Sequence, residues 1–480
     1  MSFRPIWGTP RLTTHDWGEE QHERETHWTS LFYDLMVVAA LNAIAEPFEE
    51  LEEGDGEGGE GGSMAMLTPI RLLWLDALLQ FVSVINSWNT LNFFTCLLED
   101  ESFVGHLSFF FHAFGMAATT AGCVGDFSEN YRVLATGVIL AKLGLVVLFA
   151  RPVLYIPRVR LTAAFVCIPF LVNIALMLLG LYMDSFDKFR VVLIIATLFD
   201  WVSLLFISQL KQHQRVPMHI QSYTDRIKEV TMVIFGEAIF AIILQPYKDA
   251  QPETHFYLAL ALTLWVIYSM TLQEFHILPS PDDHALRRSM LFGYLWYYTQ
   301  FAKQIFLLGA SIGIKRAHLL MFVAPTEPID RDTRRLTVWG QSLIMVSVVL
   351  IRSYSFGFGR HPNSEDPPAI WYLKAGWWAF MAFASMLPQL IDQTIFEYVS
   401  CTPMVVMACV GVMLFFIIIV EAALSNLVAS QYKTLMEKAG MSQDDVGELT
   451  YLSHKTSSSI KTYSANENDE VSSDKAKSSA

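Results

Sequence analysis

Charge is what this sequence has least of. Only 17% of its 480 residues are Asp, Glu, Lys or Arg, while 53% are hydrophobic and the mean hydropathy is +0.36. Water-soluble domains carry about a quarter charged residues, so a soluble globular protein is excluded. Cysteine is scarce as well. Cys96, Cys123, Cys167, Cys401 and Cys409 form an odd, scattered set, which excludes a disulfide framework and lacks metal-site spacing. His106, His112, His276 and His284 show no H-E-x-x-H pattern, so no zinc chemistry is expected. No cofactor, metal or nucleic acid is called for. The sequence shows no Asn-x-Ser/Thr acceptor, prenylation box or retention signal, so which membrane holds it is left open. Its opening, "MSFRPIWGTPRLTTHDWGEEQHERE", is polar. No cleavable leader is expected, and the first span would direct insertion.

Long apolar runs are what it has instead. A helix needs roughly 20 mainly apolar residues to cross the hydrocarbon, and twelve windows qualify. They lie near 29–46, 68–98, 103–124, 131–150, 161–183, 189–210, 226–245, 255–276, 289–314, 336–353, 370–392 and 403–430. Lipid offers no partner to backbone N–H and C=O groups, so these runs must be helices. The expected fold is all-α, a polytopic integral membrane protein of about twelve transmembrane helices. Residues 1–27 read as an N-terminal segment, 28–210 as a first helix set, 211–225 as a polar connection, 226–430 as a second set, and 431–480 as a disordered tail.

The two sets would be six-helix halves, the arrangement of a parallel repeat. The internal match of Phe32-Tyr33-Asp34 with Phe235-Gly236-Glu237 is short enough for chance to explain. Lys and Arg concentrate at the termini and on the even-numbered connections, which places both termini in the cytoplasm. The net charge of −14 does not imply a cationic partner, because half of it comes from seven acids in "PFEELEEGDGEGGEGG" at 47–62. This stretch belongs to an acidic Gly-rich loop, 47–66, with little to bury.

Polar residues inside the spans carry the functional signal. At 100° per residue, His27, Ser30 and Asp34 share one sector of the first helix. Asp34 must therefore face protein or water rather than lipid. On the second helix Asp76, Gln80, Ser83, Ser87 and Thr90 are spaced 4, 3, 4 and 3 apart, a stripe about 21 Å long. Asn86, Asn89 and Asn92 widen it. Further ionisable groups at membrane depth are Lys142, Asp200, Glu237, Glu274, Lys303, Asp392 and Glu421, with Lys142 and Lys303 as natural counter-ions for the acids. Buried acids can form a proton or cation path, or act as fixed links between helices. For a single acid the second role is the commoner one. For the whole set, with the stripe beside it, a polar cavity is expected.

Enzyme signatures fail. Gly309-Ala310-Ser311-Ile312-Gly313 matches G-x-S-x-G, but that motif needs a strand–turn–helix elbow, and here it lies within a span. Small residues at this spacing usually let helices approach closely. Asp34 and Asp126 could only distantly serve as a proton-sharing aspartyl pair, since Asp126 falls at a helix end. No catalytic residue is assigned.

"THWTSLFYDLMVVAALNAIA" resembles the first helix of the bacterial low-temperature-requirement A (LtrA) family, W-x-E-L-F-F-D-L-x-F-V-x-A. Trp28, Leu31, Phe32, Asp34 and Leu35 carry the match. Ser30 replaces a Glu, and Tyr33 a Phe, as in eukaryotic, fungal-type members. "HIQSYTDRIKEVTMVIFGEAIFAII" is similar to a second family motif through His219, Arg226, Ile234, Gly236, Glu237 and Ala241, with Asp225 and Lys228 departing from it. The resemblance covers most of residues 26–430. It implies that Asp34, Arg226 and Glu237 belong to the shared core, and little about activity. Arg226 and Glu237 share a face of the seventh helix, about 16 Å apart.

The sequence therefore points to a transporter or channel-like protein with a cavity between helices 1, 2 and 7. Asp34 and Glu237 would bind a proton or cation, or a small solute would pass, with the Asp76–Thr90 stripe lining the path and Arg226 beside it. Its partner is the lipid bilayer. An intramembrane enzyme acting on lipid or peptide, and a non-catalytic scaffold or sensor, are the alternatives.

Overall fold

The computed structural model describes residues 9–16, 28–50, 63–208, 215–244, 253–275, 284–288, 290–323, 325–356, 368–396, 399 and 401–438. Most of the acidic loop and the tail beyond 438 lie outside the described residues, as do the side chains of Trp28 and Ala241. The described chain is helical apart from its connections and one two-residue ladder.

In chain order the elements are β1 (Arg11–Leu12), α1 (Trp28–Glu50), α2 (Ser63–Leu97), β2 (Leu98–Glu99), α3 (Phe103–Ala121), α4 (Phe127–Tyr155), α5 (Val159–Leu181) and α6 (Phe186–Ser208). Then follow α7 (Ile220–Leu244), α8 (Glu253–Phe275), the single turn α9 (Ala285–Arg288), α10 (Met290–Val323), α11 (Arg331–Phe356), α12 (Pro368–Ile391) and α13 (Pro403–Lys438). A π-helical turn, Asp392–Phe396, follows α12. Each apolar window read from the sequence falls on one long helix. Seven of these helices, α1, α4, α5, α8, α10, α11 and α13, are long and apolar enough to cross a membrane.

Side-chain placement is inverted relative to a soluble helix. On α3, Phe103, Leu107, Phe110, Phe111 and Phe114 are exposed, while Ser108, His112 and Thr119 are buried. On α1, Leu31, Phe32 and Leu35 face outward and Ser30 and Asp34 inward. Apolar surface outside with polar groups inside is stable where the surroundings are lipid. The chain has a multi-pass helical membrane architecture.

The helices form two compact units, residues 1–356 with 384–415, and residues 357–383 with 416–480. In the second unit the rings of Trp377 and Trp378 meet edge to face, 4.7 Å between centroids, and Glu421 is buried. The first unit holds everything described below.

Its closest helix pairs are built on glycine. A Cβ on Gly115 would lie 2.2 Å from the Ala141 backbone N, and one on Gly137 would lie 2.2 Å from that of Thr119. Gly122 against Leu134 and Gly144 against His112 repeat the arrangement seven residues along each helix. Without side chains between them, α3 and α4 pack backbone to backbone. The turn joining them uses Gly125 at φ +70°, a left-handed conformation only glycine adopts without cost. Asp126 then caps α4 by accepting from the Ser128 N–H at 2.8 Å. This is the aspartate weighed above as half of an aspartyl pair, and it serves a helix end.

Gly313 meets the Thr337 backbone, and Gly340 meets Ala310, so the G-A-S-I-G stretch joins α10 to α11 inside a continuous helix. The end of α2 is closed by the N-terminal segment. Thr13 N–H donates to Leu97 O at 3.1 Å, Thr13 Oγ1 to Cys96 O at 2.6 Å, and β1 pairs antiparallel with β2. The backbone N–H of His219 also donates to Cys96 O at 3.0 Å. Helix-terminal carbonyls are left without partners by the helix itself, and these contacts supply them.

Candidate functional site: paired charges around a cavity

Asp34 lies on the inward face of α1, 8% exposed. Its Oδ1 accepts from Arg226 Nη2 at 2.7 Å and Trp88 Nε1 at 2.8 Å, and its Oδ2 accepts from Arg226 Nη1 at 2.9 Å. This is a two-pronged Arg–carboxylate contact, the strongest geometry available to such a pair. Arg226 also donates through Nε to Asn92 Oδ1 at 3.1 Å and pairs with Glu229 one turn on. Its guanidinium carbon lies 5.8 Å from the Trp88 ring centroid. The three helices the sequence grouped, α1, α2 and α7, do meet at Asp34. Arg226, Trp88 and Asn92 make the contacts there.

Glu237 is on the same helix as Arg226 but faces another neighbour. It is fully buried and accepts from Lys315 Nζ of α10 at 2.6 Å. Asp34 and Glu237 therefore do not share one site. The apolar window read from the sequence ends at 314 and leaves Lys315 outside it. The helix runs on to Val323, and Lys315 is buried.

Five further acids repeat the pattern. Asp76 takes two hydrogen bonds from Arg190 of α6, at 2.7 and 2.6 Å. Asp200 Oδ2 accepts from Lys142 at 2.6 Å and from Asn86 and Asn173 at 2.9 Å each. Lys303 pairs with Glu274, Arg151 with Asp100 and Ser102, and Arg334 with Asp392 at 2.6 Å. Asp392 also accepts from Trp339 Nε1 at 2.8 Å. Seven interior acids thus face seven bases among the described residues. Lys142 and Lys303 are counter-ions, to Asp200 and Glu274. Of the other five bases, Arg151, Lys315 and Arg334 lie inside helices but outside the apolar windows, and Arg190 and Arg226 lie at the first residues of their windows.

The α2 stripe divides. Asp76 is taken by Arg190. The hydroxyls of Ser83 and Thr90 donate back to the carbonyls of Leu79 and Asn86, each at 2.8 Å. Gln80 and Ser87 are buried on the same helix. Thr90, of these five, lines a cavity among the described residues. That cavity, about 100 Å³, lies against the face carrying Asn86, Asn89 and Thr90, with α5, α6, the start of α7 and α10 as its other walls. Asp200 and Arg215 bring one acid and one base to its lining, and Tyr294, Trp296 and Tyr297 bring rings. The sequence signal was present in Asn86 and Asn89, whose polarity widened the stripe. The aromatic wall on α10 gave none.

The second motif has a local role as well. His219 Nδ1 accepts from the Ser222 N–H at 3.1 Å, an N-terminal cap that starts α7 at Ile220, inside the connection read from sequence.

Inverted burial, interior ion pairs and spans of sufficient length define a multi-pass α-helical membrane protein. A model of the family described as bacterial low temperature requirement A protein (LtrA) matches residues 26–430, and the chain belongs to that family. The two motifs that carried the resemblance, 192 positions apart, are tied by the Asp34–Arg226 contact. Neither the curated proteins nor the solved structures compared with the chain include a match.

Proposed function

We propose that the protein is a non-enzymatic transporter or channel-like protein that moves a small uncharged solute through the cavity beside α2. All twelve long helices would span the bilayer, and both termini would lie on the cytoplasmic side. The cavity on the Asn86–Thr90 face is the observation that carries this reading. A cation or proton route through Asp34 and Glu237 has less support, because each already holds a base in bonding contact. Displacing that base would leave a buried charge alone, which costs several kcal/mol.

The scaffold or sensor reading is favoured by a different observation, the seven fixed pairs, which by themselves do nothing but hold helices together. Proteoliposomes separate the two. Stopped-flow light scattering with acetamide, urea and glycerol should show permeation of at least one solute, and Thr90→Trp, which fills the cavity, should block it. Trapped pH and K⁺ dyes should report no ion flux. Proton or K⁺ flux lost in Asp34→Asn or Glu237→Gln would restore the ion path. Absence of any flux would leave the scaffold.

A further inference from the structure

Three residues from three helices line one cavity, and each carries a buried polar atom with no hydrogen-bond partner. Asn89 Oδ1 comes from α2, Thr162 Oγ1 from α5 and the Tyr223 hydroxyl from α7. Their residues are 2%, 3% and 2% exposed. Native proteins leave few buried polar groups unmatched, because each loses its bonds to water and gains nothing in return. Three such groups around a single space mark a site where something else supplies the bonds.

The lining indicates the chemistry of that occupant. Asn89 Oδ1 can only accept, so the ligand must present an N–H or O–H. Thr162 and Tyr223 carry hydroxyls, which give or take a hydrogen bond. The charges in the wall are one acid and one base, Asp200 and Arg215. Asp200 already has three donors, Lys142, Asn86 and Asn173. A cation would therefore gain little there, and the wall's one base is balanced by one acid. The rest of the wall is apolar or aromatic, including Phe93, Phe170 and Trp296. A volume of about 100 Å³ equals roughly three waters at ~30 Å³ each, or an organic molecule of about four to seven heavy atoms.

We infer that this cavity is a binding site for a small uncharged amide or alcohol, whose apolar part packs on the rings and whose N–H or O–H edge meets Asn89, Thr162 and Tyr223. The inference rests on the transport reading for the fate of the bound molecule, and on the cavity alone for its binding.

The test uses the full chain in nanodiscs and trifluoroacetamide as probe, followed by ¹⁹F relaxation. Trifluoroacetate has nearly the same shape but is charged. The protein should broaden the trifluoroacetamide signal, acetamide should reverse the broadening, and trifluoroacetate should show none. Asn89→Leu, Thr162→Val and Tyr223→Phe should each weaken binding about 5- to 10-fold, the worth of one hydrogen bond. Each should also keep or raise the melting temperature of the empty protein, because an unmatched polar group has been removed.

No broadening, equal broadening by trifluoroacetate, or wild-type affinity in all three variants would overturn the inference. So would variants that lose binding together with thermal stability, since their side chains would then serve the fold. Binding of trifluoroacetamide without flux of any solute leaves the site standing and removes the transport reading. Flux of other solutes without trifluoroacetamide binding does the reverse.

Discussion

The link between Asp34 and Arg226 makes an asymmetric prediction. Replacing Asp34 by Asn removes one carboxylate from a guanidinium that keeps Glu229, Asn92 and the Ser30 carbonyl within reach. Replacing Arg226 by Gln leaves Asp34 with Trp88 Nε1 and, among the described residues, no other cation in contact with it. Removing one partner of a buried pair costs about 3–5 kcal/mol, because a charge is left uncompensated. The full range applies to Arg226→Gln. For Asp34→Asn, Glu229 offsets part of the loss, giving roughly 2–4 kcal/mol by the same reasoning.

The double variant Asp34→Asn/Arg226→Gln has no buried charge to strand, and an amide oxygen remains for Trp88. It should be more stable than Arg226→Gln alone, with a coupling of about 2–3 kcal/mol. Thermal unfolding of the detergent-purified chain reads this directly. At about 1 °C per kcal/mol for a chain of this length, the singles should lose roughly 2–4 and 3–5 °C. Equal losses in the two singles, or a double equal to their sum, would refute the assignment of the pair.

Other contacts yield further expectations. Gly115→Leu and Gly137→Leu should each prevent the close approach of α3 and α4, since even a Cβ would sit 2.2 Å from backbone; overpacking by at least 1–3 kcal/mol should appear as aggregation on size-exclusion chromatography. Gly125→Ala should cost about 1–2 kcal/mol by forcing a left-handed φ, and Gly125→Asn less, as melting temperatures would record. Lys142→Met should destabilise more than Asp200→Asn, because the first strands a buried carboxylate and the second leaves a lysine near the Phe170 ring, 4.8 Å from its centroid.

Much of this architecture was legible in the sequence, and the reasons differ by level. Apolar windows register helices because lipid leaves the backbone no alternative, so every window met a helix. Helix ends were less legible. Lys315 and Arg334 lie beyond the windows yet inside helices, and both hold interior acids. Helical periodicity reports the face on which Asp34 or Asp76 lies, but not the neighbour that face meets. The partners, Arg226 and Arg190, are 192 and 114 positions away. That is also why the sequence grouped Asp34 with Glu237: both are acids in family motifs, and nothing local tells that Lys315 stands beside one of them. The cavity was half legible. Asn86 and Asn89 stood out as amides in an apolar run, whereas Thr162 and Tyr223 are ordinary residues until three helices bring them together.

Acetamide flux through the Asp34→Asn/Arg226→Gln double variant, reconstituted in proteoliposomes and normalised to folded protein, tests the central claim most directly. If the buried charges are fasteners and solute passes beside α2, flux should match the wild-type protein, with no proton movement in either. Loss of flux in a double variant that remains folded would contradict the account, because the charges themselves would then be the path.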